Sequence, residues 1–168
     1  GLGLMGGMGM LVVGLVTAPQ MGHVADKFLH DRLIANQSQT VAVLERVVQT
    51  YPPLAETAPP TIKREILRAV SDAQDVVTAA KTGTLPLGKT ANALRSAITN
   101  APKAAETQSA VKPLVDELNG ALLPADNFGG RMSFRYVAPF ALVIILVFGA
   151  LYLRDRSAGG YKAEKLTA

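Results

Sequence analysis

YVAPFALVIILVFGALYL, residues 136–153, decides the fold: eighteen residues without a charge, closed by Arg135 on one side and Arg154 on the other. At 1.5 Å rise per residue the stretch makes about 27 Å of helix, close to the ~30 Å hydrocarbon core of a bilayer. Tyr136 and Tyr152 sit just inside the flanking arginines, where amphipathic rings prefer the membrane interface. A second uncharged stretch, GLGLMGGMGMLVVGLVTAPQMG, occupies residues 1–22. It has neither the basic start nor the small-residue cleavage site of a signal peptide, so it is expected to be the remainder of a longer transmembrane helix.

These two stretches predict an all-α membrane protein in which two transmembrane helices, 1–22 and 135–154, flank an extramembrane insert, 23–134, and a short tail, 155–168, follows. Composition agrees, with 49% hydrophobic residues, 18% charged residues and a mean hydropathy of +0.24, more apolar than an ordinary soluble domain of 168 residues. The net charge of +4 divides evenly. Residues 23–135 carry 13 Lys/Arg against 11 Asp/Glu, and the residues after Leu153 carry 4 against 2. No block is basic enough to propose nucleic acid as a partner. The chain has no cysteine, which excludes disulfides, zinc thiolate sites and thiol catalysis together. Basic residues in the tail, Arg154, Arg156, Lys162 and Lys165, place it in the cytoplasm by the positive-inside tendency, and the insert outside. The expected location is an inner (plasma) membrane of bacterial type, with the lipid bilayer as the first partner.

A connection of more than a hundred residues is expected to be folded, and its pattern is helical. Val41, Leu44, Val47, Val48 and Tyr51 recur at three and four residues up to Pro52-Pro53, where the helix is expected to end. Ile62, Ile66, Ala69, Val70, Ala73, Val76, Val77 and Ala80 form a second stripe, closed by Gly83. Leu87, Ala91, Leu94 and Ile98 give a third, and Val111, Leu114, Val115, Leu118 and Leu122 a fourth, with Pro113 as a kink or a late start. Strict alternation is missing, so strands are not expected. About four helices would then form a small bundle with a thin, Ala- and Val-rich core.

Within the first stretch, Gly3, Gly7, Gly14 and Ala18 project within about 60° of one another at 100° per residue. Such a small-residue face lets another helix approach closely, and in lipid close packing is what drives helices together. These four residues are the candidate helix-packing site, and Pro19 is the candidate bend. Gly1-Leu2-Gly3-Leu4-Met5-Gly6 also matches the dinucleotide-binding pattern G-x-G-x-x-G, but it opens an apolar helix rather than joining a strand to a helix, so no nucleotide is expected. His23, Asp26 and His30 share a helical face and could in principle ligate a divalent metal. A hydrated face beside the membrane explains them without a fourth ligand, and no metal site or other cofactor is assigned. No nucleophile, acid or base is placed by a recognisable motif, so no catalytic residue is assigned and an enzyme is not expected. Neither apolar stretch holds an ionisable residue that could relay protons or bind an ion within the membrane.

GLMGGMGMLVVGLVTAPQMGHVADK, residues 3–27, resembles the penultimate transmembrane helix of the major facilitator superfamily, in which a glycine-rich stretch passes through a proline to a polar boundary. FRYVAPFALVIILVFGALYLRDRSAGGYKAEKL, residues 134–166, is similar to the final helix and cytoplasmic tail of bacterial members, including the turn Gly159-Gly160-Tyr161-Lys162. The resemblance implies the C-terminal part of a secondary active transporter, one that carries a small solute by alternating access and packs against the remaining transmembrane helices. The residues that bind the solute are not readable. The alternative is a two-span membrane sensor whose external helical domain binds a ligand. The short tail after Leu153 counts against that alternative, because about fifteen residues cannot house an output module.

Overall fold

The computed structural model describes residues 18–102, 105–157 and 159, and every regular element among them is a helix. Five helices follow one another: α1 (Ala18–Ala35), α2 (Gln37–Glu56), α3 (Pro60–Lys81), α4 (Lys89–Thr99) and α5 (Ala105–Ser157). Gly3, Gly7 and Gly14 of the expected packing face lie outside the described residues, as does most of the first expected span. Among the described residues one helix, α5, is long and apolar enough to cross a membrane.

Both expected borders of the insert fall inside helices rather than between them. α1 runs through residues 22 and 23, and α5 runs through 134 and 135 without a break. At 53 residues α5 is about 80 Å long. It contains Pro113, Pro124 and Pro139. Pro113 is therefore neither a start nor a stop, since eight helical residues precede it. A proline removes one backbone donor and the helix can bridge that loss where the freed carbonyl faces solvent and the flanking face stays packed. α2 likewise continues through Pro52 and Pro53 to Glu56, which corrects the expected end at Tyr51. Tyr51 and Ala55, on one face of its last turns, are both fully buried, and that packing outweighs two missing donors.

α1 and α2 are joined by a single non-helical residue, Asn36, with φ −118° and ψ 34°. Its carbonyl still accepts from the Thr40 amide at 3.0 Å, and its side-chain amide donates to the Arg32 carbonyl at 3.1 Å. The two helices barely touch side by side, so they form one bent rod. α5 lies along that rod in the opposite direction: Gly129 meets Ala25 near one end, and Arg46 pairs with Glu117 near the other. α3 returns along α2 and α4 returns along α3, completing a bundle of α2, α3, α4 and the first half of α5.

The second and third stripes appear largely where the spacing predicts them. Ile66, Ala69, Ala73, Val76 and Val77 of α3 are buried, and Gly83 beyond its end takes φ +142°. In α4, Ala91 and Leu94 are buried, but Leu87 is 61% exposed and Leu85 is buried in its place. Gly88, with φ +73°, turns the chain between Leu87 and the first turn of α4, and that turn points Leu87 outward. The core is built from aliphatic side chains and alanines around Tyr51, whose hydroxyl donates to the Ala97 carbonyl at 2.9 Å. Burial pushes the Tyr51 phenol up from 10.0 to about 12, because the phenolate would lose its water. Thr40 and Thr90, also buried, donate to the carbonyls of Asn36 and Pro86 at 3.1 and 2.9 Å. Among the described residues no buried side-chain nitrogen or oxygen lacks a partner.

Candidate functional site: the seam between α1 and α5

Among the described side chains of α5 the buried positions are Val111, Leu114, Leu118, Leu122, Ala125, Gly129 and Ser133, a sequence of three- and four-residue steps that keeps one face toward its neighbours. Along that face the side chains shrink. Leucines fill the bundle, while Ala125, Gly129 and Ser133 line the seam with α1. A Cβ built on Gly129 would collide with the Ala25 carbonyl oxygen and stand 3.2 Å from the Leu29 Cβ, so only glycine allows this approach. The Ser133 hydroxyl donates to the Gly130 carbonyl of its own helix at 2.8 Å, which leaves the seam no unsatisfied polar group. Small residues at four-residue steps are what close helix pairing uses.

Aromatic rings close the open side of the seam. Phe28 meets Phe128 edge-on at 6.0 Å between centroids, and Tyr136 at 5.6 Å. Long side chains on a helix lean toward its N-terminus, so Phe28 and Tyr136 on opposed helices lean toward each other. The α4 helix is tied to the same region by Arg95, which donates to Asp126 at 2.6 Å. Arg46 and Glu117 form a second bridge higher in the bundle. Both pairs are partly exposed, so each contributes at most about 1 kcal/mol.

Pro19 lies in α1, within described helix, and Ala18 is the first described residue of that helix. His23, Asp26 and His30 do not converge. Asp26 and His30 line a hollow of about 110 Å³ with Asn92 and Arg95 of α4, while His23 is exposed and outside it. Among the described residues no three of His, Cys, Asp or Glu form a group that could hold a metal ion. The seam offers no nucleophile and no paired acid and base. What it provides is a rigid, closely packed junction between the bundle and the apolar end of α5. Sequence reading identified the small-residue face of residues 3–18 but passed over Ala125, Gly129 and Ser133, although the same four-residue spacing was there to be read.

No protein-family model matches the chain, and no curated protein or solved structure matches it either.

Proposed function

We propose that this chain is the C-terminal part of a secondary active transporter, embedded in a bacterial plasma membrane, that moves a small solute by alternating access. One observation carries the membrane half of that reading: from Leu142 to Leu153 the large side chains of α5 point outward on every side of the helix, and nothing in the described chain covers them. A helix apolar all round is stable only against lipid or other apolar helices. The carrier half rests on the resemblance of residues 3–27 and 134–166 to the last two helices of the major facilitator superfamily. In this reading the bundle is an enlarged connection between those helices on the outer side of the membrane, and the seam holds it upright on its two supports.

The unbroken passage of α5 from bundle to apolar stretch favours a second reading, a membrane sensor in which a ligand in the bundle shifts α5 along or about its axis. The reading frame upstream of the Gly1 codon separates the two. About ten further apolar spans are expected for the carrier; a start codon with no more than one span would overturn it. Placement of the bundle is tested separately with Ser71→Cys, at an exposed position of α3 in a chain that has no other thiol. An impermeant thiol reagent added to intact cells is expected to label it, and protection from the reagent would move the bundle to the cytoplasm.

A further inference from the structure

The apolar end of α5 is uncovered, but it is not featureless. Its seam face continues past Ser133 at the same steps through Tyr136, Phe140, Val143, Val147 and Leu151, all within about 80° of arc with Ala125, Gly129 and Ser133 at 100° per residue. Tyr136, Val143, Val147 and Leu151 are each more than half exposed. We infer that this face is the docking surface for the chain's own residues 3–18, which prolong the α1–α5 seam toward the far end of α5. The inference goes beyond transport and holds equally for a carrier and for a sensor.

Continuity with the described interface supplies the register. Ala25 faces Gly129, and in an antiparallel pair of helices with equal rise, residues that face each other have numbers adding to one constant. For Ala25 and Gly129 that constant is 154. Continued helically, the face of α1 that carries Ala25 also carries Ala18, Gly14, Gly7 and Gly3, all within about 60° of arc. The constant sets Ala18 opposite Tyr136, Gly14 opposite Phe140, Gly7 opposite Val147 and Gly3 opposite Leu151. Every small residue thereby meets a large one. Within the described seam the constant sets Leu29 opposite Ala125, while Ala25 and Gly129, where the helices come closest, are both small. Neither surface carries a charge, so their contact leaves nothing to neutralise in a medium without water.

Disulfide trapping tests the register in the full chain in native membranes, because the sequence contributes no competing thiol. Three double variants probe the face: Gly14→Cys with Phe140→Cys, Gly7→Cys with Val147→Cys, and Leu11→Cys with Val143→Cys. The last replaces two larger side chains, so it adds no bulk if cysteine at a glycine proves disruptive. Leu11→Cys with Leu142→Cys, at a similar height on the opposite side of α5, is the control. Cysteines cross-link when their Cα atoms approach within about 7 Å. After oxidation with copper phenanthroline, intramolecular cross-linking is expected to be several-fold greater for the three facing pairs than for the control. Equal trapping of all four pairs, trapping only between two copies, or no trapping of Leu11→Cys with Val143→Cys in correctly inserted protein would overturn the inference. Those outcomes would assign the face to lipid, a second copy or another helix.

Discussion

The two halves of α5 are continuous in backbone and opposite in surroundings. From Val111 to Ser133 one face is buried and the other meets water; from Leu142 to Leu153 every described residue is exposed, and most of the large side chains are apolar. A helix does not record in its hydrogen bonds which solvent it lies in. Only side chains do, and here the change is made within a few residues at Arg135 and Tyr136. The consequence is that a disturbance in the bundle and a disturbance in the apolar end should have different signatures.

The largest contrast is expected from truncation. Leu118→Ala leaves a cavity in a fully buried site and should lower bundle stability by about 2–5 kcal/mol in denaturant unfolding of detergent-solubilised protein. Leu146→Ala, 71% exposed before mutation, should change that stability by less than about 0.5 kcal/mol. Comparable losses would mean that the two halves share one core. A charge reverses the order. Ile145→Arg should disfavour membrane insertion by about 2.5–3.5 kcal/mol in a translocon insertion assay while leaving the thermal transition of the bundle in place, and unchanged insertion would break the comparison. At the border between the halves, Gly129→Leu should cost about 1–3 kcal/mol by forcing α1 and α5 apart. Gly130→Leu, with open space at the next residue, should cost clearly less, and equal costs would reduce the seam to ordinary helix propensity.

The most specific effect belongs to Tyr51. Its phenol is pushed up to about 12 in the folded chain from 10.0. A group whose folded value is raised contributes stability that is fully present below its unfolded value and lost as pH rises through the folded one. Bundle stability should therefore fall between about pH 10 and 12, and Tyr51→Phe should remove that component while itself costing about 1–3 kcal/mol through the Ala97 carbonyl left without its donor. A pH profile unchanged by the substitution would assign the loss to other groups.

Much of the bundle was legible in sequence because its helices are short and amphipathic: the run from Ile66 to Val77 buries the side chains that its spacing selects. The helix end expected at Pro52 and the late start expected at Pro113 both failed for one reason. The penalty for a missing donor is local, whereas the burial of Tyr51 and Ala55, or of Val111 and Leu114, is set by distant parts of the chain. Gly129-Gly130 has the composition of a turn, yet it lies in the middle of the longest helix. What makes glycine necessary there is the Ala25 carbonyl, and no local pattern shows that a residue so far away will arrive opposite it. The seam was therefore visible in sequence as a spacing, and it became a site only once its partner was in place.

In a membrane, Pro139 would give the long helix a depth gauge. Its ring leaves the Arg135 carbonyl, one turn earlier, without the amide that would normally satisfy it. An unsatisfied carbonyl in hydrocarbon costs several kcal/mol, while in a headgroup layer water supplies the missing donor. In a bilayer α5 would sink as far as Tyr136 and be resisted beyond it, with the Arg135 guanidinium acting in the same sense. The height at which the bundle would stand above a membrane would then be fixed by one absent hydrogen, at a point where the helix itself runs on without interruption.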